Sequence, residues 1–160
     1  MESELFELAE QVGLILKVRG KKIATAESCT GGWVAQAITE VPGSSVWFDR
    51  GFVTYSNAAK VQMLAVNPQT LEQYGAVSAE TAMEMAVGAL THSDADVAVA
   101  VTGIAGPDGG TPEKPIGTVF IAWAHKKQEA KVVKKQFTGN RQQIRAQTVK
   151  SALEGMWLFY

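Results

Sequence analysis

A serine hydroxyl attacks a carbonyl only when a base takes its proton and donors hold the negative oxygen that forms. Thr25-Ala26-Glu27-Ser28-Cys29-Thr30-Gly31-Gly32 offers the first and last of these. It is a polar cluster between a short strand and a helix, where hydroxyls stand beside unpaired backbone N–H groups and the positive end of the helix dipole. With Ser28 as nucleophile, the N–H groups of Thr30 and Gly31 are the expected oxyanion donors, and the glycines let a substrate approach the backbone. The same residues would also serve as a plain helix cap and a tightly packed turn. Cys29 is a second nucleophile in that turn, since a helix N-terminus favours a thiolate. A lone cysteine there is more often a small buried filler, and Ser28 is preferred.

The base is harder to find. The two histidines are His92, in a polar segment after a helix, and His125, beside Lys126-Lys127 in a hairpin turn. Both read as solvated, so a Ser/His triad is not expected. With two His and one Cys, and no HExxH or CxxC spacing, no metal site is expected either. A lysine remains, provided that desolvation or neighbouring positive charge lowers its pKa toward neutrality. In Val53-Thr54-Tyr55-Ser56-Asn57-Ala58-Ala59-Lys60, the lysine falls one turn into a helix after a strand, among small side chains. The Tyr55 phenol could relay a proton or orient the amine. Taken alone, Lys60 also fits an ordinary exposed lysine and Tyr55 a packing residue with a wet hydroxyl.

Two further groups suit an anionic ligand. Thr102-Gly103-Ile104-Ala105-Gly106-Pro107 follows an apolar strand at its carboxyl end, where open α/β sheets place ligands, though it matches neither a P-loop nor GxGxxG. Thr102, Gly103 and Gly106 are therefore candidate substrate contacts, with a plain tight turn as the competing explanation. Arg141 and Arg145 lie one turn apart on one face of the last helix and would suit a phosphate or carboxylate; a solvated basic face is their alternative.

These residues need elements to hold them. Apolar spacing predicts a helix over 3–19, a strand over Lys22–Ala26 and a helix over Trp33–Val41, stopped by Pro42-Gly43. Trp47–Tyr55 reads as a strand, and helices follow through Leu64, from Asn67-Pro68 to Gly75, and over Thr81–Leu90. Asp96–Val101 is a strand buried on both faces. Strands at Gly117–Ala124 and Lys131–Phe137 are near enough to form a hairpin, and a helix covers Asn140–Leu158. This order predicts one three-layer α/β/α domain over 1–160 with a mixed sheet.

The bulk composition narrows the classes. A chain of 160 residues with 46% hydrophobic and 19% charged residues can fill one core, and the single cysteine excludes an internal disulfide. No apolar run approaches the roughly 20 residues of a membrane span, and Met1–Glu10 lacks a basic start and apolar block, so a cytoplasmic protein is expected. Residues 1–125 hold 7 Lys/Arg against 14 Asp/Glu, and residues 126–160 hold 8 against 2. A nucleic-acid-binding domain would use such a basic end, but near-neutral total charge and scattered tryptophans speak against it. A nucleotide-binding module without catalysis is the other rival. The basic end would also suit a phosphorylated ligand; no nucleic acid and no membrane are expected as partners, and exposed apolar helix faces suggest a homo-oligomer.

Read together, Ala26-Glu27-Ser28-Cys29-Thr30-Gly31-Gly32, Pro42-Gly43-Ser44-Ser45, Tyr55-Ser56-Asn57-Ala58-Ala59-Lys60, Gly75-Ala76-Val77-Ser78, Thr102-Gly103-Ile104-Ala105-Gly106-Pro107, Lys114-Pro115-Ile116-Gly117-Thr118-Val119 and Gly139-Asn140-Arg141 to Arg145 resemble the CinA C-terminal domain family, in its order and across nearly the whole chain. That family contains nicotinamide mononucleotide deamidases, which hydrolyse the carboxamide to give nicotinate mononucleotide and ammonia. The resemblance implies a Ser/Lys amidohydrolase of pyridine nucleotide recycling, with Ser28 and Lys60 as the pair, Tyr55 as the family's tyrosine, and no metal or organic cofactor. It also implies a stand-alone deamidase, without the molybdopterin-binding-like domain of longer members. Arg50 stands where many relatives have Gly, and Asn140 where Asp is common.

Overall fold

The computed structural model describes residues 2–160. In chain order the elements are α1 (Glu2–Arg19), β1 (Ile23–Glu27), α2 (Trp33–Thr39), β2 (Phe48–Val53), α3 (Asn57–Leu64), α4 (Pro68–Tyr74), α5 (Ala79–Thr91), β3 (Val97–Gly103), β4 (Thr118–His125), β5 (Lys131–Gln136) and α6 (Arg141–Glu154). The sheet runs β2-β1-β3-β4-β5, parallel at β2-β1 and β1-β3 and antiparallel from β3 onward. This is the mixed α/β/α sandwich expected from the sequence.

The pleat sorts large side chains from small ones. On one face, Ile23, Val97, Val99, Val101, Val119, Ile121 and Trp123 join one core with Leu5, Val12 and Leu16 of α1, Val34 and Ile38 of α2, and Ile144, Val149 and Leu153 of α6. On the other, Ala24, Ala26, Ala98, Ala100, Ala122 and Ala124 meet Ala82, Met85, Ala86 and Ala89 of α5. Methyl groups on both sides let α5 lie close to the sheet, and Gly88 lies so close to the Leu64 carbonyl that a Cβ would collide with it.

Some details depart from the sequence reading. Leu14 and Val18, placed on the apolar stripe of α1, are exposed. The last helix becomes a 3-10 turn at Gly155–Leu158, where Gly155 abuts the Trp123 indole with no room for a Cβ. His125 ends β4 instead of lying in the hairpin turn; it is partly covered, with its Nε2 3.0 Å from the Tyr160 hydroxyl. The basic skew of the C-terminal end is carried in part by exposed Lys131, Lys134 and Lys135 on the edge strand β5, where charge opposes further strand pairing. Arg50, on the opposite edge, pairs with Asp49 and Asp94. Asn140 caps α6 in a reciprocal capping box with Gln143. No helix is long and apolar enough to cross a membrane among the described residues.

The chain leaves β1 for β2 on one side and later returns as β3 on the other. Strand order therefore reverses at β1, which opens a crevice at the carboxyl ends of β1 and β3.

Candidate active site

Ser28 is the residue after β1, and sheet-like bonding continues past it. Its N–H donates to the Val101 carbonyl (3.1 Å), while Thr54 N–H donates to the Glu27 carbonyl (2.8 Å). The chain then turns sharply: Gly31 N–H donates back to the Ser28 carbonyl (3.1 Å), and Gly31 and Gly32 take φ of +60° and +105°, where a side chain would be strained.

The positive end of α2 is already filled from within. Glu27 is buried, and its carboxylate accepts from the Thr30 hydroxyl (2.5 Å) and the N–H groups of Val34 (2.8 Å) and Ala35 (3.0 Å). Three donors converge on an acceptor-only group, which suits an ionised carboxylate. The anion expected at this helix end is thus part of the protein. Ser28 and Gly31 have committed their N–H groups, whereas those of Cys29 and Thr30 donate to no protein atom among the described residues. Of the two oxyanion donors expected from sequence, Thr30 is free to act and Gly31 is engaged in the turn.

Lys60 reaches Ser28 from the neighbouring strand end. After β2, Ser56 caps α3 by accepting from Ala59 N–H (3.0 Å), which sets Lys60 in the first turn with its side chain pointing inward. The side chain is 1% exposed. Its Nζ lies 3.1 Å from Ser28 Oγ, 2.9 Å from the Thr54 carbonyl and 3.1 Å from the Tyr55 carbonyl. Burial pushes its pKa below the ordinary lysine value, and no carboxylate contacts the amine to oppose that shift. A neutral amine has two hydrogens and one lone pair. Donation to the two carbonyls leaves the lone pair for the Ser28 hydroxyl.

Tyr55 contributes in a different way from its sequence reading. It lies beyond the edge strand with its side chain 64% exposed, so its carbonyl and not its phenol meets the lysine. Cys29 is buried against the same turn, and burial, with the Glu27 charge, pushes its thiol up to about 12. It stays protonated near neutral pH, which makes it a poor nucleophile beside Ser28.

Ser28 and Lys60 open into a cavity of about 260 Å³ walled by Ala76, Val77 and Ala105 and reached by Arg141. Arg141 donates from Nη1 to the Gly106 carbonyl (2.7 Å), which fixes the cation at the rim. Thr102 and Gly103 line the cavity; Thr102 Oγ1 donates to the Ala76 carbonyl (2.8 Å) and ties the wall to β3. Gly106 takes part only through its bond to Arg141. Arg145 does not line the cavity: its guanidinium grips the Cys29 and Thr30 carbonyls. A larger groove, about 700 Å³, runs along α6 beside Trp33, Gln143 and Gln147 but holds no hydrogen-bonded hydroxyl–amine pair among the described residues. Among the described residues no three His, Cys, Asp or Glu side chains converge to hold a metal.

Glu27 and the Thr54 carbonyl are functional groups of the site beyond those expected from the sequence. A carboxylate ending an otherwise uncharged strand was a readable sign of internal capping. Nothing in the type of residue 54 announces its carbonyl.

A mixed α/β sheet with a buried hydroxyl–amine pair at its switch point is the class that the fold and the site define. Within it, the chain belongs to the CinA C-terminal domain family, which matches residues 5–158. It is 54% identical over 156 residues to "Nicotinamide-nucleotide amidohydrolase PncC" of Escherichia coli (strain K12), covering 98% of this chain and 94% of the relative. The protein of that name from Pseudomonas putida is 50% identical over 149 residues, covering 93% and 92%. Among solved structures, the competence/damage inducible protein CihA from Agrobacterium tumefaciens superposes with a TM-score of 0.95 at 47% identity, covering 97% of this chain and 94% of that one.

Proposed function

We propose that this chain is a nicotinamide-nucleotide amidohydrolase, converting nicotinamide mononucleotide to nicotinate mononucleotide and ammonia in the cytoplasm as part of pyridine nucleotide recycling. The observation that carries the reading is the 3.1 Å contact between a buried amine and the Ser28 hydroxyl inside a cavity. Lys60, neutral, takes the Ser28 proton as Oγ bonds to the amide carbon. The Cys29 and Thr30 N–H groups receive the negative oxygen. The protonated lysine then returns its proton to the departing nitrogen, ammonia leaves, and an ester to Ser28 remains. Water, deprotonated by the same amine, attacks that ester, releasing the carboxylate and restoring the hydroxyl. Arg141 at the rim holds the nucleotide phosphate, and the small apolar walls take the pyridine ring.

Incubation of the purified chain with nicotinamide mononucleotide is expected to release ammonia and nicotinate mononucleotide in equal amounts, at the same rate with and without a chelator. Nucleotide binding without ammonia release would overturn the reading in favour of a non-catalytic nucleotide module.

A further inference from the structure

Arg145 lies on α6, outside the cavity, yet its bonds all go to the nucleophile turn. Nε donates to the Cys29 carbonyl and Nη2 to the Thr30 carbonyl, each at 3.0 Å. The guanidinium lies 5.5 Å over the Trp33 ring, so the head group is held between α2 and the turn. In a trans peptide the carbonyl and the following N–H point in opposite directions. The bond to the Cys29 carbonyl therefore fixes the Thr30 N–H, one of the two turn donors without a protein partner. The bond to the Thr30 carbonyl fixes the next plane, whose N–H already closes the turn on Ser28. A charge drawn to a peptide oxygen also strengthens the opposite N–H as a donor.

We propose that Arg145 is a positioning residue for hydrolysis at Ser28, which sets the peptide plane between Cys29 and Thr30 so that the Thr30 N–H meets the developing oxyanion. This rests on the amidohydrolase reading. It assigns Arg145 to the turn and leaves Arg141 alone at the phosphate. A lysine is a poor replacement, because it has one nitrogen where Arg145 presents Nε and Nη2, held in one plane, to two separate carbonyls.

The test compares Arg145→Ala, Arg145→Lys and Ser28→Ala with the unaltered chain by steady-state ammonia release, by the dissociation constant of nicotinate mononucleotide, and with added methylguanidinium. For both Arg145 variants kcat should fall roughly 10- to 100-fold, with KM and product affinity changing by no more than about 2-fold. Methylguanidinium should restore part of the kcat of Arg145→Ala and none of Arg145→Lys, whose side chain occupies the space. A rise in KM with loss of product affinity at unchanged kcat would overturn the proposal in favour of direct phosphate contact. So would unchanged kinetics, or a loss of kcat with no rescue and an equal loss of product binding, the mark of a merely structural role. Near-normal turnover by Ser28→Ala would instead sink the underlying nucleophile reading. An inactive Ser28→Ala beside unchanged Arg145 variants would sink only the role of Arg145.

Discussion

Replacing Ser28 with alanine is expected to lower amide hydrolysis by at least roughly 10⁴-fold, and Lys60→Met by roughly 10²- to 10⁴-fold, the range for loss of a nucleophile and of a positioned base. Methionine keeps the length and packing of the buried stem, so circular dichroism should remain that of the folded protein. Lys60→Arg should be as inactive as Lys60→Met, because a guanidinium does not lose its proton near neutrality. Combining Ser28→Ala with Lys60→Met should cost little more than Ser28→Ala alone, since the two act as a unit. Near-additive losses would show that they act separately. The pH profile carries the same information. Only the neutral amine can take a proton, so kcat/KM should climb with pH along a limb whose midpoint lies below 10.5, the ordinary lysine value. The stability sign follows from the same shift. Between the lowered folded pKa and 10.5 the unfolded chain binds the extra proton, so stability rises with pH through that window and has no such slope below it.

Glu27→Ala is expected to be the most destabilising change at the site. It strands the Val34 and Ala35 N–H groups and the Thr30 hydroxyl at a buried helix end. Each orphaned donor costs about 1–3 kcal/mol, so a loss on the order of 4 kcal/mol is expected, allowing for partial relaxation. For a chain of this size that corresponds to a fall in Tm of roughly 10 °C. Glu27→Gln keeps the shape and one good acceptor but turns an N–H₂ toward groups that are themselves donors, so it should lie between the two. Thermal unfolding of both variants checks this. A Tm within about 2 °C of wild type for Glu27→Ala would mean that the carboxylate does not cap α2. Since Thr30 is held by Glu27 through its hydroxyl and by Arg145 through its carbonyl, Glu27→Gln should also lower kcat more than it raises KM.

What was legible in the sequence follows from what residue types express. Ser28 and Lys60 were candidates because each follows a strand at the start of a helix and because the histidines offered no base, but only the family resemblance paired them; that their strands are neighbours is a fact of the sheet. The apolar run of β3 marked a strand buried on both faces. That its valines and alanines go to different layers follows from its period of two, and the structure extends the same division across β1 and β4. Functions carried by the backbone were invisible. The Thr54 and Tyr55 carbonyls that orient the amine have no signature in side-chain type, so Tyr55 drew attention for its phenol instead. Arg145 was recognised as a cation with a purpose, but its spacing from Arg141 suggested a shared ligand. The separation of more than a hundred positions between it and Cys29 hid the true acceptors. On α1, Leu14 and Val18 fit the helical period yet fall beyond the width of the buried stripe.

The bonds from Ser28 N–H to Val101 and from Thr54 N–H to Glu27 have a consequence for how the protein fails on heating. These bonds tie together three adjacent strand ends, with the nucleophile on one of them and the base carried in the first turn of the helix that follows another. The amide protons of Ser28 and Thr54 should exchange with solvent only when the sheet opens. Loss of activity with temperature should accordingly coincide with global melting, so that inactivation reports the stability of the sheet itself.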